Sequence, residues 1–312
     1  MNGLKYSREY FERVAQPSLK QGFPELYGRL AAGLVGNGSE CFGFDDLISR
    51  DHDWGADFYI WTQEQDRDII PALIDWKSVL LEKNPPGYAR TRSDYGARIG
   101  VMTCGDFYYS LTGSRRRPET LNEWLRAPEE QFALAVNGEV FFDAAGEFTA
   151  VRNGLLDFYP EDIRLKKIAA RCMALSQTGQ YNHIRTAKRG DTVTLRIVLS
   201  RLTDSAIAMV FLLNKTYRPY YKWAYRAMKG LPLLGGQVAS LLYEIAETYG
   251  LDDKSLYKRQ KCIDDMCALI VDELNLQAMS DSDDDYLASH GELVQRKIKD
   301  ATLRSLPPQY VI

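Results

Sequence analysis

The sequence predicts an α+β protein in two parts, a mixed α/β unit over residues 1–157 and a helical bundle over residues 158–312. Three observations lead to this. Up to about residue 155, short apolar runs alternate with glycines and polar turns, as small strands and short helices require. At Pro160-Glu161-Asp162 a proline stands beside two acids, the pattern of a first helical turn. Beyond it nearly every segment has helical spacing, with Gly179, Gly230, Gly235 and Gly250 placed where helices would stop.

In the first part, Ser7 is positioned to cap a helix over Tyr10, Phe11 and Val14, and a second helix follows Pro17 through Leu26 and Leu30. Ala32-Gly33-Leu34-Val35 reads as a buried strand or a helix end, leading into the loop Gly36-Asn37-Gly38-Ser39. Asp53 to Trp61 alternates and is rich in aromatics, as a half-buried strand would be. Asp66 to Leu81 has helical spacing, Arg98 to Met102 suits a strand, and a short helix is expected around Phe107 to Leu111. Thr120-Leu121-Asn122-Glu123 has the form of a capping box. Glu139–Asp143 and Glu147–Val151 flank Ala144-Ala145-Gly146 as the arms of a hairpin. In the second part, helices are expected at 162–178, 190–214, 217–229, 233–249, 254–276 and 286–304.

Composition narrows the class. A chain of 312 residues has room for one large domain or two ordinary ones. With 45% hydrophobic and 26% charged residues it has the balance of a soluble globular protein. Lys plus Arg number 39 against 42 acids, a net charge of -3, so no overall field draws it to nucleic acid or an anionic membrane. The five cysteines are scattered, odd in number and form no CxxC pair, and the charged, amphipathic start MNGLKYSREYFERV is unlike a signal peptide. The expected location is therefore the reducing cytoplasm. The longest apolar runs, such as Ala206 to Leu213, are too short to span a bilayer.

The chemistry concentrates in Gly36-Asn37-Gly38-Ser39 and the Asp51-His52-Asp53-Trp54 run that follows. Gly38 and Ser39 form a small-residue turn whose backbone N–H groups and hydroxyl suit a phosphate. On a strand, positions two apart face the same side, so Asp51 and Asp53 would aim at one spot while His52 faces away. Two such carboxylates make a hard oxygen site suited to magnesium carried on substrate phosphates.

A Gly-Ser turn, a spacer and Asp-x-Asp at the head of a strand resemble the signature of the polymerase-β-like nucleotidyltransferases. The runs Gly38-Ser39-Glu40, Gly43-Phe44-Asp45-Asp46 and Ser49-Arg50-Asp51-His52-Asp53-Trp54 are similar to an uncharacterised bacterial family within that superfamily, as are Asp157–Asp162 and Phe211–Trp223. The resemblance implies a nucleotidyltransferase fold, a small mixed sheet flanked by helices, with a helical domain like that of aminoglycoside nucleotidyltransferases. It implies two Mg2+ ions, with ATP or another NTP as substrate. It also implies transfer of a nucleoside monophosphate to a hydroxyl of a small-molecule acceptor held between the two parts, with release of pyrophosphate. Asp51 and Asp53 would bind metal, Gly38 and Ser39 the phosphates. A third carboxylate is expected on a neighbouring strand, and Asp143, which closes Glu139-Val-Phe-Phe-Asp143, is chosen for it, as metal ligand or base. Lys222 is the expected partner of the leaving phosphates.

Plainer roles compete at several of these positions. Asp143 before Ala-Ala-Gly is also a common turn residue, and Asp45 and Asp46 suit capping better than metal binding. His52 reads as structural. Tyr217, Tyr220, Tyr221, Trp223 and Tyr225 suit core packing before base stacking, and Arg115-Arg116-Arg117 suits a solvated loop. The acids of Asp281–Glu292 mimic a calcium loop, but Tyr286 occupies the position that needs glycine. Two alternatives to a small-molecule acceptor remain: transfer onto a protein or RNA, and a nucleotide-binding regulator without turnover.

Overall fold

The computed structural model describes residues 2–50, 54–88 and 100–310. The chain divides into two compact units, Met1–Asp157 and Phe158–Ile312.

The first unit opens with α1 (Gly3–Tyr10), capped by Asn2, whose side chain accepts the Lys5 N–H at 3.0 Å. Ser7 is not the cap. It lies on the buried face with Gly3 and Tyr10, and its hydroxyl donates to the Gly55 carbonyl at 3.3 Å. A π turn, Phe11–Ala15, carries the helix without a break into α2 (Gln16–Gly22), so Pro17 interrupts nothing. The helix does end before Pro24: Phe23 has φ -135 and ψ 55, out of the helical region as a residue preceding proline should be. A single turn, α3 (Pro24–Tyr27), follows and stops short of Leu30.

Four strands form a mixed sheet: β1 (Ala31–Leu34), β2 (Tyr59–Thr62), β3 (Val101–Thr103) and β4 (Glu139–Asp143), in the order β3-β2-β1-β4. β1 runs antiparallel to β2 and to β4, and β2 runs parallel to β3. The registers Gly33↔Tyr59 and Leu34↔Glu139 place the C-terminal end of β1 beside the starts of β2 and β4, and Ala31↔Asp143 places the end of β4 at the opposite edge. β2 is shorter than its aromatic run and buried on both faces, not half-buried. On one side Phe58 and Ile60 join Phe11 of the π turn, Leu19 of α2, and Leu73 and Leu80 of α4 (Ile70–Lys83). On the other, Tyr59 and Trp61 pack on Phe107 of α5 (Cys104–Thr112), and Trp61 stacks on Phe148 of α8 (Glu147–Leu156) at 3.8 Å.

Between β3 and β4 the Thr120 capping box starts α6 (Leu121–Trp124), and α7 (Glu129–Val136) follows. The expected hairpin is only half present, because Glu147–Val151 belongs to α8. Asp143 decides this: its two carboxylate oxygens accept the N–H groups of Gly146 (2.9 Å) and Thr149 (2.8 Å), which turns the chain into a helix whose Phe148 and Leu155 share a buried face.

In the second unit α9 (Glu161–Leu175) continues through a π segment, Ser176–Asn182, into α10 (His183–Lys188). Gly179 therefore stops nothing. A Cβ there would sit 2.7 Å from Ile263 and 2.9 Å from Leu202, so the glycine permits close helix packing instead. In α11 (Thr192–Leu213) every residue from Ser205 to Leu213 is buried, which makes its second half the core of the unit. Arg164 satisfies that helix's last carbonyls, with Nε on Leu212 O at 2.8 Å. α12 (Tyr221–Met228) starts later than expected because Pro219 holds the chain extended before it. α13 (Gly235–Glu247) and α14 (Asp253–Leu276) follow. The final expected helix is two, α15 (Leu287–Arg296) and α16 (Ala301–Ser305), because Asp162 accepts the N–H groups of Lys299 (3.0 Å) and Asp300 (2.7 Å) at the break. Among the described residues no helix is long and apolar enough to cross a membrane.

Candidate functional site

The turn after β1 carries two glycines of positive φ. Gly36 has φ +105 and Gly38 φ +123, a region closed to most side chains. A Cβ on Gly38 would also lie 2.7–2.9 Å from the carboxylate of Glu40, which is buried beneath it. Asn137, just before the neighbouring strand β4, clamps the turn: its Oδ1 accepts the Gly36 N–H at 2.7 Å and its Nδ2 donates to the Gly36 carbonyl at 2.8 Å. Arg152 in turn donates to the carbonyls of Asn137 (2.6 Å) and Gly138 (3.2 Å), and burial lowers its pKa from the ordinary value.

Beyond Gly38 the carbonyls of Gly38 and Ser39 accept the N–H groups of Cys41, Phe42 and Phe44. The donors of the turn are left over. Among the described residues the N–H groups of Gly38 and Ser39 meet no acceptor, and the Ser39 hydroxyl makes no hydrogen bond. Both residues are half-exposed. Two amides without acceptors suit an oxyanion, while the buried Glu40 carboxylate places negative charge beneath Gly38.

Asp51 and Asp53, with His52 between them, lie outside the described residues. Their neighbours are in place: the Arg50 guanidinium lies 4.5 Å over the Trp54 ring, and Trp54 Nε1 donates to Asp45 at 3.1 Å. Arg50 forms no ion pair among the described residues. Asp45 also accepts the Gly3 N–H at 2.8 Å, and Asp46 accepts those of Ile48 and Ser49, so both hold the loop together.

Asp143 does not join this turn. It sits at the far end of β4, opposite Ala31, with its carboxylate oxygens bound to backbone amides of α8. Close by, Glu147 is pushed above the usual carboxylate range by burial and by the charge of Asp143. At the near edge, Glu139 pairs with Arg8 and Asp57 with Lys77 at 2.7 Å. Among the described residues no three His, Cys, Asp or Glu side chains are grouped to hold a metal ion. Lys222 belongs to the second unit, where it is exposed and lies 5.1 Å over the Trp223 ring.

The remaining sequence candidates have structural partners. Tyr217 packs on Phe158 and Tyr159, and the Tyr225 hydroxyl donates to the Ala239 carbonyl at 3.0 Å. Arg115 pairs with Asp106 at 2.7 Å, Arg116 with Glu119 at 2.9 Å, and Arg117 with the Gly154 carbonyl at 2.7 Å. In the calcium-like segment, Asp284 accepts the Tyr286 N–H at 2.9 Å at the start of α15.

Comparison with protein families finds one relation. Residues 124–224 match a domain of unknown function, DUF4037. The DUF4037 match contains β4 with Asp143, the segments Asp157–Asp162 and Phe211–Trp223, and Lys222. It does not extend to Gly38, Ser39, Asp51 or Asp53. Searches of curated proteins and of solved structures gave no match.

Sequence reasoning found the turn but not its supports. Asn137 and Arg152 lie about a hundred positions away, and only the Asn137-Gly138 turn pair before β4 hinted that this junction is special.

Proposed function

We propose that this protein is a magnesium-dependent nucleotidyltransferase of the polymerase-β-like type. The Gly38–Ser39 turn holds the phosphates of a nucleoside triphosphate, ATP by preference, and a nucleoside monophosphate passes to a hydroxyl of a small acceptor with release of pyrophosphate. One observation carries this reading. At the edge where β2 begins, two backbone amides have no acceptor among the described residues, in a turn that carries two positive-φ glycines and is held by Asn137. Such a turn binds phosphate oxygens without reorganising.

The described residues alone do not make a metal site, so magnesium rests on Asp51 and Asp53, which follow the turn in the sequence pattern of the superfamily. Bound there, it would neutralise phosphate charge. Asp143 is left out of this reading because its carboxylate accepts two amides of α8 at the other end of β4, and the reading needs no contribution from Lys222.

The test is pyrophosphate release from ATP with magnesium across a panel of hydroxyl-bearing acceptors, in the wild type and in Asp51→Asn/Asp53→Asn. Turnover that disappears in the double variant supports the proposal, and equal turnover in both overturns it.

The engagement of Asp143 favours one other reading, a nucleotide-binding regulator without turnover. On that reading ATP binds with magnesium and is recovered intact with every acceptor.

A further inference from the structure

From Ser205 to Tyr243 the chain carries five lysines and arginines, Lys215, Arg218, Lys222, Arg226 and Lys229, and no aspartate or glutamate. The first acids on either side are already paired, Asp204 with Arg218 at 2.5 Å and Glu244 with Lys258 at 2.6 Å. Lys215, Lys222 and Lys229 are exposed, and among the described residues none of the three forms an ion pair. In a chain of net charge -3 this is a local excess of positive charge.

The fold gathers these charges on one face. α12 packs on α11 and α13 with Ala224 and Met228 buried, so its opposite side looks outward. Lys222, Arg226 and Lys229 are exposed at helical spacing along that side, as a single stripe. Asn214 brings Lys215 to the same end. Its Nδ2 donates to the Leu233 carbonyl and its Oδ1 accepts the Leu233 N–H, both at 2.9 Å, so Lys215 lies beside the loop that leaves α12.

Aromatic rings are set among these cations. Tyr221 is 73% and Tyr220 48% exposed, with ring centroids 4.4 Å apart. Lys222 lies 5.1 Å over the Trp223 ring, and Lys229 lies 4.6 Å over the ring of Tyr225, whose hydroxyl is anchored on the Ala239 carbonyl. No aliphatic side chain of α12 is exposed. Cations and rings without exposed aliphatics suit phosphates and bases, where a lipid surface would call for an apolar face.

We propose that this face of the helical unit binds single-stranded nucleic acid, with Lys215, Lys222 and Lys229 on backbone phosphates and Tyr221 stacked on a base. The surface uses none of Gly38, Ser39, Asp51 or Asp53 and stands independently of nucleotidyl transfer.

Fluorescence anisotropy of labelled ten-residue oligouridylate and oligothymidylate tests it, with the full chain and with no ATP or magnesium present. Both oligomers should bind, and a rise from about 50 to about 200 mM salt should weaken them about tenfold or more, as three phosphate contacts require. Lys215→Gln/Lys222→Gln/Lys229→Gln should remove most of that salt dependence and weaken low-salt binding about tenfold or more. Tyr221→Ala should weaken binding about fivefold or more with the salt dependence kept. Lys5→Gln/Lys83→Gln/Lys297→Gln removes the same charge from other exposed positions and should bind as wild type does. If the first triple variant does not fold, the single lysine changes carry the test, each reducing the effect of salt about two- to threefold. No binding of either oligomer, equal losses in the two triple variants, or unchanged affinity in Tyr221→Ala overturns the proposal. So does stronger binding to vesicles of equal phosphatidylserine and phosphatidylcholine than to the oligomers.

Discussion

Asn137 holds Gly36 through both polar groups of its backbone, accepting its N–H at 2.7 Å and donating to its carbonyl at 2.8 Å. The two residues are 101 positions apart, and the amide side chain extends the pairing of β1 with β4 past Leu34 and Glu139. The turn that presents the Gly38 and Ser39 amides therefore starts from a fixed point.

Asn137→Ala should cost about 1–3 kcal/mol of stability, because it leaves the N–H and carbonyl of buried Gly36 without partners. Urea denaturation measures this. A loss below a few tenths would mean that water replaces the clamp freely.

Gly38→Ala should destabilise the first unit by about 1–3 kcal/mol, through φ +123 and collision with the Glu40 carboxylate. Gly28→Ala is the control. Gly28 has φ -68 and nothing within 4 Å of an added Cβ, so the change should be neutral or stabilise slightly. Equal effects of the two substitutions would contradict the account of the turn.

Asp143→Ala should lower stability by about 0.5–2 kcal/mol through loss of the cap on α8. Its pyrophosphate release per folded molecule should stay within a few-fold of wild type. Complete loss of turnover in a well-folded Asp143→Asn variant would return the residue to the catalytic site.

His183 should make stability fall in acid. Burial, and secondarily the charge of Arg259, hold its pKa below the ordinary 6.5. The unfolded chain then takes up a proton near pH 6.5 that the folded chain refuses. The contribution is complete above that pH and declines as pH falls toward the folded pKa, where the ring would also lose its role as acceptor for Arg259 Nε. Unfolding midpoints followed downward from about pH 7 should decline less steeply in His183→Gln than in wild type. Parallel declines would contradict this.

What the sequence made legible was local. The Thr120–Glu123 capping box and the positive-φ turn at Gly36–Ser39 need only their own residue types, and both are present. The mixed sheet with flanking helices stands as well. Glu147–Val151 misled because five residues of alternation suit a strand and a helix alike, and the carboxylate of Asp143 chose the helix. Gly179 misled because a glycine that ends a helix and one that admits Ile263 and Leu202 look the same in sequence. Asn137, Arg152 and Arg259 were invisible, since each matters through a partner that only the fold brings near.

The most direct test follows the backbone amides of Gly38 and Ser39 by NMR while ATP and magnesium are titrated into nitrogen-labelled protein. The account predicts that these two resonances move among the furthest in the chain, and that the movement is lost in Asp51→Asn/Asp53→Asn. Saturation with ATP that leaves both amides in place, or no binding of ATP at all, would contradict it.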